Sequence, residues 1–123
     1  KLPLLIQDIS RTRIIPFQVS SPNFITQKKV QGQKLFNPSI KKIKQLSNKI
    51  ILIENADPGF DWIFSSNILA LVTKYGGINS HMSIRCAELG IPAAIGCGDQ
   101  IFSQLLKKKS IYLDCSSSAI YSI

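Results

Sequence analysis

The sequence predicts an α/β fold in a single compact layer arrangement, and three observations carry that reading. Short β-branched runs such as Ile50-Ile51-Leu52-Ile53 and Leu69-Ala70-Leu71-Val72-Thr73 are continuous in apolar residues, as strands covered on both faces are. Between and after them lie segments with helix-start and helix-stop residues, and alternation of the two element types calls for parallel pairing with crossover helices. With 123 residues, 45% of them hydrophobic and 18% charged, the chain supports one real core and is too short for two.

Each element is justified in chain order. Residues 1–24, punctuated by Pro3, Pro16 and Pro22 with a turn at Ser20-Ser21-Pro22-Asn23, read as a leader or a linker from a preceding domain. The domain proper is placed at 25–123. A strand is expected through Phe24-Ile25-Thr26 or through Lys28–Val30. Asn37-Pro38-Ser39 signals a helix start, and Ile40, Ile43 and Leu46 follow at helical spacing with lysines between them. The strand Ile50–Ile53 is broken by Asn55-Ala56-Asp57-Pro58-Gly59, in which Asp57 is a turn or capping residue, and a short helix over Phe60–Ser65 packs Phe60, Trp62, Ile63 and Phe64.

The second buried strand, Leu69–Thr73, runs toward Gly76-Gly77. A helix over Ser80–Leu89 stops at Gly90-Ile91-Pro92, the glycine-then-proline ending of a helix. Ala93–Gly96 is a short strand of small residues, a helix spans about Gln100–Lys107, and Ser110–Asp114 with Ala119–Tyr121 make a closing pair of strands.

Composition narrows the function classes. No apolar run approaches a membrane span and no signal-peptide pattern is present, so neither membrane nor secretion is expected. The cysteines Cys86, Cys97 and Cys115 are odd in number and widely spaced, which argues against a disulfide framework or a metal site and for a reduced, cytoplasmic setting. Cys97 reads as a small packed residue. The net charge of +8 is concentrated in residues 1–49, at +9, while residues 50–106 carry −3 and residues 107–123 carry +2. That basic surface has no interleaved aromatic motif, so nucleic acid is not expected as a partner. The chain opens at Lys1 without a methionine, and the expectation is a fragment of a larger protein.

The chemistry concentrates in Tyr75-Gly76-Gly77-Ile78-Asn79-Ser80-His81-Met82-Ser83-Ile84, which holds the sole histidine. A strand running through glycines into a helix start is a recurrent anion site, because first-turn amides lack intrahelical partners and the helix dipole adds positive charge. Gly76 and Gly77 admit backbone approaches that a Cβ would block, and Ser80 is placed to cap the helix. A neutral imidazole is a nucleophile near pH 7, so His81 is a candidate for covalent phosphoryl transfer. The competing reading of these residues alone is an ordinary surface histidine beside a turn.

That run, followed by Glu88-Leu89-Gly90-Ile91-Pro92-Ala93-Ala94-Ile95-Gly96, resembles the signature of the phosphohistidine domain of phosphoenolpyruvate-utilising enzymes, of the phosphoenolpyruvate synthase and pyruvate phosphate dikinase type. Asp57-Pro58-Gly59 with Trp62, Leu71-Val72-Thr73 before the glycine pair, and the ending from Lys109 to Tyr121 extend the likeness over residues 25–123. The resemblance implies a mobile, swivelling β/β/α domain in which His81 is transiently phosphorylated, with Gly76, Gly77, Asn79, Ser80, Met82 and Ser83 forming the phosphate loop and helix N-terminus.

By the same resemblance, phosphoryl comes from an ATP-derived donor and passes to pyruvate or another acceptor. The partners are an ATP-grasp nucleotide-binding domain and an acceptor-site domain of the same parent. The chain itself holds no cofactor and no metal, Mg and ATP belonging to the other domains, and alone it is expected to be inactive. The alternatives are an enzyme I-like carrier loaded by phosphoenolpyruvate, and a degenerate, non-catalytic interaction module. Three departures from the family pattern stand out: Asn79 in place of threonine, Met82 where a small residue is usual and would leave the imidazole uncrowded, and Ala87 in place of arginine. Arg85, two positions away and about 200° around the helix, is not expected to replace that arginine on its face.

Overall fold

The apolar runs become the centre of a seven-stranded mixed sheet in the computed structural model, which describes residues 22–123. In chain order the strands are β1 (Asn23–Ile25), β2 (Lys29–Phe36), β3 (Ile50–Asn55), β4 (Ala70–Tyr75), β5 (Ala93–Ile95), β6 (Ser110–Asp114) and β7 (Ala119–Ser122). Their order across the sheet is β1-β5-β4-β3-β2-β6-β7. The neighbours β2–β3, β3–β4 and β4–β5 are parallel, and β1–β5, β2–β6 and β6–β7 are antiparallel.

Parallel neighbours need crossovers, and each is helical. A 3-10 helix at Ile40–Leu46 joins β2 to β3, and another at Pro58–Ser65 joins β3 to β4. The α-helix α1 (His81–Leu89) joins β4 to β5, and α2 (Gly98–Leu105) leads from β5 to β6.

Because side chains alternate across a strand, β3 and β4 feed two separate cores. Ile51, Ile53 and Leu71 face Leu46, Ile63, Met82 and Cys86 from the helices on one side. Ile50, Leu52, Ala70 and Val72 face Phe102 and Leu105 of α2 on the other, together with Ile111 and Leu113 of β6. A strand of the same sheet can pack over that face because the sheet curls. The bend lies in β2, where residues 29–33 pair with β6 and residues 34–36 pair with β3.

Several expectations change in extent. The two candidate strands near residues 24–30 both exist, with β2 running to Phe36. Asn23 and Phe24, on the leader side of the expected boundary, belong to β1, in register with Ile95 and Ala94; the leader or linker expected at residues 1–24 otherwise lies almost wholly outside the described residues. The segments at 40–46 and 60–65 are 3-10 rather than α-helical, and of Ile40, Ile43 and Leu46 only Leu46 is buried while Ile40 is exposed. Among the described residues no helix is long and apolar enough to cross a membrane.

Candidate functional site

The site begins where β4 ends. Thr73 is fully buried, and its hydroxyl accepts a hydrogen bond from the Gly96 amide at 2.9 Å while its carbonyl accepts from the Cys97 amide at 2.9 Å. These bonds tie the exit of β4 to the exit of β5. Gly76 follows with φ of 132°, a conformation that side chains rarely adopt, and a Cβ there would lie 2.6 Å from that of Ala56. Its carbonyl is covered by Gly96, where a Cβ would come within 2.4 Å of the Gly76 oxygen. The glycine at 76 is therefore required by both conformation and space. Gly77 is different: nothing lies within 4 Å of a Cβ placed there, so the expected steric reason for the pair holds at Gly76 alone.

After the turn, Ser80 is the N-cap of α1. Its hydroxyl accepts from the Ser83 amide at 3.3 Å, satisfying a donor that a helix start otherwise leaves open, and its carbonyl accepts the first intrahelical bond, from the Ile84 amide at 3.1 Å. Gly90 closes the helix in the left-handed conformation, and Lys28 donates to the Gly90 carbonyl at 2.8 Å. The first-turn side chains then diverge. Met82 is fully buried and Ser83 nearly so, whereas Ile78 and Asn79 are exposed and His81 points outward with 42% of its side chain accessible. Met82 points into the core beneath the helix, so the expectation that it crowds the imidazole does not hold.

His81 has a partner that the sequence did not single out. Its Nε2 lies 2.8 Å from Oδ1 of Asp61, on the 3-10 helix Pro58–Ser65. The same oxygen accepts from Arg85 Nε at 2.9 Å. Arg85 is further fixed by Glu88, 3.5 Å from Nη1, and by the ring of Phe64, 5.4 Å from its guanidinium carbon. The hydrogen bond from His81, then that from Arg85, holds the Asp61 carboxyl below the usual carboxylate range, and Asp61 in turn raises the Arg85 guanidinium. Asp61 is thus an anion near neutral pH, and a neutral His81 presents Nε2–H to it.

Arg85 joins this cluster because it lies four residues after His81, on the same helix face. Measuring it against position 87 hid that relation, and the spacing of Arg85 from His81 was the available signal. Asp61 was harder to find, being 20 and 24 residues from its partners. The 3-10 helix that presents it starts at Asp57, whose carboxylate accepts from the Gly59 amide at 2.9 Å, a capping role. Phe60, Trp62 and Phe64 pack against the core around Ile63 and fix the helix in place.

The neighbouring groups support the turn. Asp99, in the first turn of α2, accepts from the Tyr75 hydroxyl at 3.2 Å and pairs with Lys74 at 2.8 Å. Cys97 is buried, and burial pushes its thiol, like that of Cys86, up to about 12, so neither is a ready nucleophile near neutral pH. Among the described residues no group of three or more His, Cys, Asp or Glu side chains is gathered for a metal. The carboxylate beside the histidine already has two cationic or hydrogen-donating neighbours on one oxygen.

Comparison with known proteins identifies the family. Residues 46–118 match the family model described as PEP-utilising enzyme, mobile domain. A probable phosphoenolpyruvate synthase of Staphylothermus marinus is 31% identical over 90 residues, covering 71% of this chain and 10% of that protein. The phosphoenolpyruvate synthase of Synechocystis is 37% identical over 70 residues, 56% of this chain and 8% of its own length. That of Escherichia coli is 40% identical over 50 residues, 41% of this chain and 6% of its own. The chain therefore spans a tenth or less of these relatives. It belongs to the mobile-domain family of the PEP-utilising enzymes.

Proposed function

We propose that the chain is the phosphoryl-carrier domain of a multidomain phosphotransferase of the phosphoenolpyruvate synthase or dikinase type, with His81 as the residue that carries the group. The observation that supports this best is the half-exposed imidazole at the first position of α1, held at a glycine-forced turn and beside a fixed arginine. An exposed nucleophile at a helix N-terminus can meet a donor and an acceptor in turn, and the first-turn dipole favours the phosphorylated product. In this reading the domain swivels between an ATP-grasp domain, which supplies the ATP-derived phosphoryl group, and an acceptor-site domain for pyruvate or a related acceptor. In the same reading magnesium, ATP and the acceptor belong to those other domains. The three buried free thiols suit a reducing, cytoplasmic setting.

The transfer splits one displacement into two. In the tautomer with its proton on Nδ1, the neutral imidazole attacks phosphorus through the Nε2 lone pair, the donor oxygen leaves with its bonding pair, and the resulting phosphoramidate is later attacked by the acceptor oxygen. The test is labelling of the full-length protein with ATP radiolabelled at the β-phosphate. Acid-labile label that is lost in His81→Ala is expected. Absence of label in the wild type, or its retention in His81→Ala, would overturn the assignment.

A further inference from the structure

Arg85 is the group at this site that the family pattern does not anticipate, and it is held in place from three sides. Its Nε meets Asp61 Oδ1, its Nη1 approaches Glu88, and its guanidinium covers Phe64. The oxygen it grips is also the one 2.8 Å from His81 Nε2. A group bonded to Nε2 places its own oxygens at about that separation from the nitrogen. A phosphoryl group brings three strong acceptor oxygens and a charge near −2, so it cannot share the position with a carboxylate.

Resting on the carrier reading, we propose that Arg85 binds the phosphoryl group of His81 and that Asp61 is its placeholder. The carboxylate fills the phosphoryl position in the unmodified chain and yields it when Nε2 is phosphorylated. The proton inventory fits this exchange. When the ring is neutral and Nε2–H donates to Asp61, 2.8 Å away, Nδ1 carries the lone pair. Reaction at Nε2 requires the other tautomer: Nε2 gives its proton to water and Nδ1 takes one, which also breaks the bond to Asp61. The freed Nε2 lone pair forms the N–P bond as the P–O or P–N bond of the donor breaks, its electron pair leaving with the donor. The ring keeps the Nδ1 proton. Asp61 then faces a dianion and moves away, while Arg85 exchanges one anion for another.

Asp61 thereby opposes phosphorylation and keeps the loaded state transferable, whereas Arg85 favours it. Two unit charges about 4 Å apart in water interact by about 1 kcal/mol, on the order of fivefold in a rate or equilibrium.

Potassium phosphoramidate phosphorylates imidazoles without any protein donor, so the exchange is testable on the chain alone by intact mass and by NMR. His81→Gln is the unlabelled control. Asp61→Asn is expected to be labelled on the order of fivefold faster than wild type, and Arg85→Gln slower by a similar factor, with Arg85→Lys between them. On the wild-type protein, whose fold is not in question, the Arg85 Nε–H resonance is expected to shift when His81 is phosphorylated. The proposal is overturned if Asp61→Asn is labelled no faster than wild type, if neither is labelled, or if the Arg85 Nε–H resonance stays in place on phosphorylation. This reagent reports on the site and not on the physiological donor. Its failure leaves the ATP-labelling result intact, and failure of ATP labelling with the exchange observed would remove the ATP-derived donor and leave the exchange at His81 standing.

Discussion

Two strand–turn–helix units lie side by side in this chain, and they differ in what they expose. β4 passes through Gly76 to Ser80 and α1; β5 passes through Gly96 and Cys97 to α2. Both turns use glycines at positive φ, and they interlock, Gly96 packing on the Gly76 carbonyl. Yet α1 has a side-chain cap at Ser80 and shows His81, Arg85 and Glu88 outward, whereas α2 starts at the buried Cys97 with no side-chain cap and turns Phe102 and Leu105 into the core. The same local architecture presents a polar, half-exposed helix face in one unit and a buried apolar one in the other. What separates them is the polar face of the helix, not the glycine turn.

The interlock is the first place to break that comparison. Gly96→Ala puts a Cβ against a backbone oxygen at a left-handed position, so about 3 kcal/mol of stability should be lost in urea denaturation. The damage should spread to the first unit, visible as shifted amide resonances at Gly76 and His81. A loss confined to α2 would show that the two turns are independent.

Ser80→Ala is the milder change. Loss of the cap should destabilise by about 1 kcal/mol and fray the first turn of α1 while leaving α2 intact. The site should then hold its phosphoryl group less well, read as a lower labelled fraction.

The smallest expected effect is on the acid limb. The Asp61 carboxyl is held below its ordinary 3.8 by His81 and Arg85, so the stability it contributes is present above that value and is lost as pH falls through the folded one. Wild type should therefore exceed Asp61→Asn at neutral pH by a small margin, because the group is half exposed, and the two curves should converge below about pH 4. Asp114, held at about 2 by the hydroxyls of Ser116 and Ser117 in the β6–β7 turn, is common to both proteins and cancels in that difference.

How much of this was legible in the sequence follows from the range of the interactions. The strands at β3, β4 and β5, the cap at Ser80, the stop at Gly90 and the turn at Asp57 were readable, because each depends on a few adjacent residues. The length of β2 was not, since Lys29–Phe36 alternates partly buried and exposed residues and has two different strand partners. The 3-10 character of Pro58–Ser65 was also hidden, and with it the position of Asp61. Its carboxylate acquires meaning only when a turn of chain some 20 residues before His81 folds against α1. Arg85 lies between these cases: its spacing of four from His81 is local and places it on the histidine's face, whereas position 87 lies on another face of the helix.

The central claim is that His81 carries phosphoryl, and mapping the modified peptide tests it most directly. Trypsin cleavage at Lys74 and Arg85 isolates Tyr75–Arg85, whose one imidazole is His81. After turnover of the full-length protein with ATP, that peptide should carry one phosphoryl group that acid removes and neutral pH preserves. A phosphoryl group on another peptide, or one on Ser80 or Ser83 that survives acid, would contradict the account.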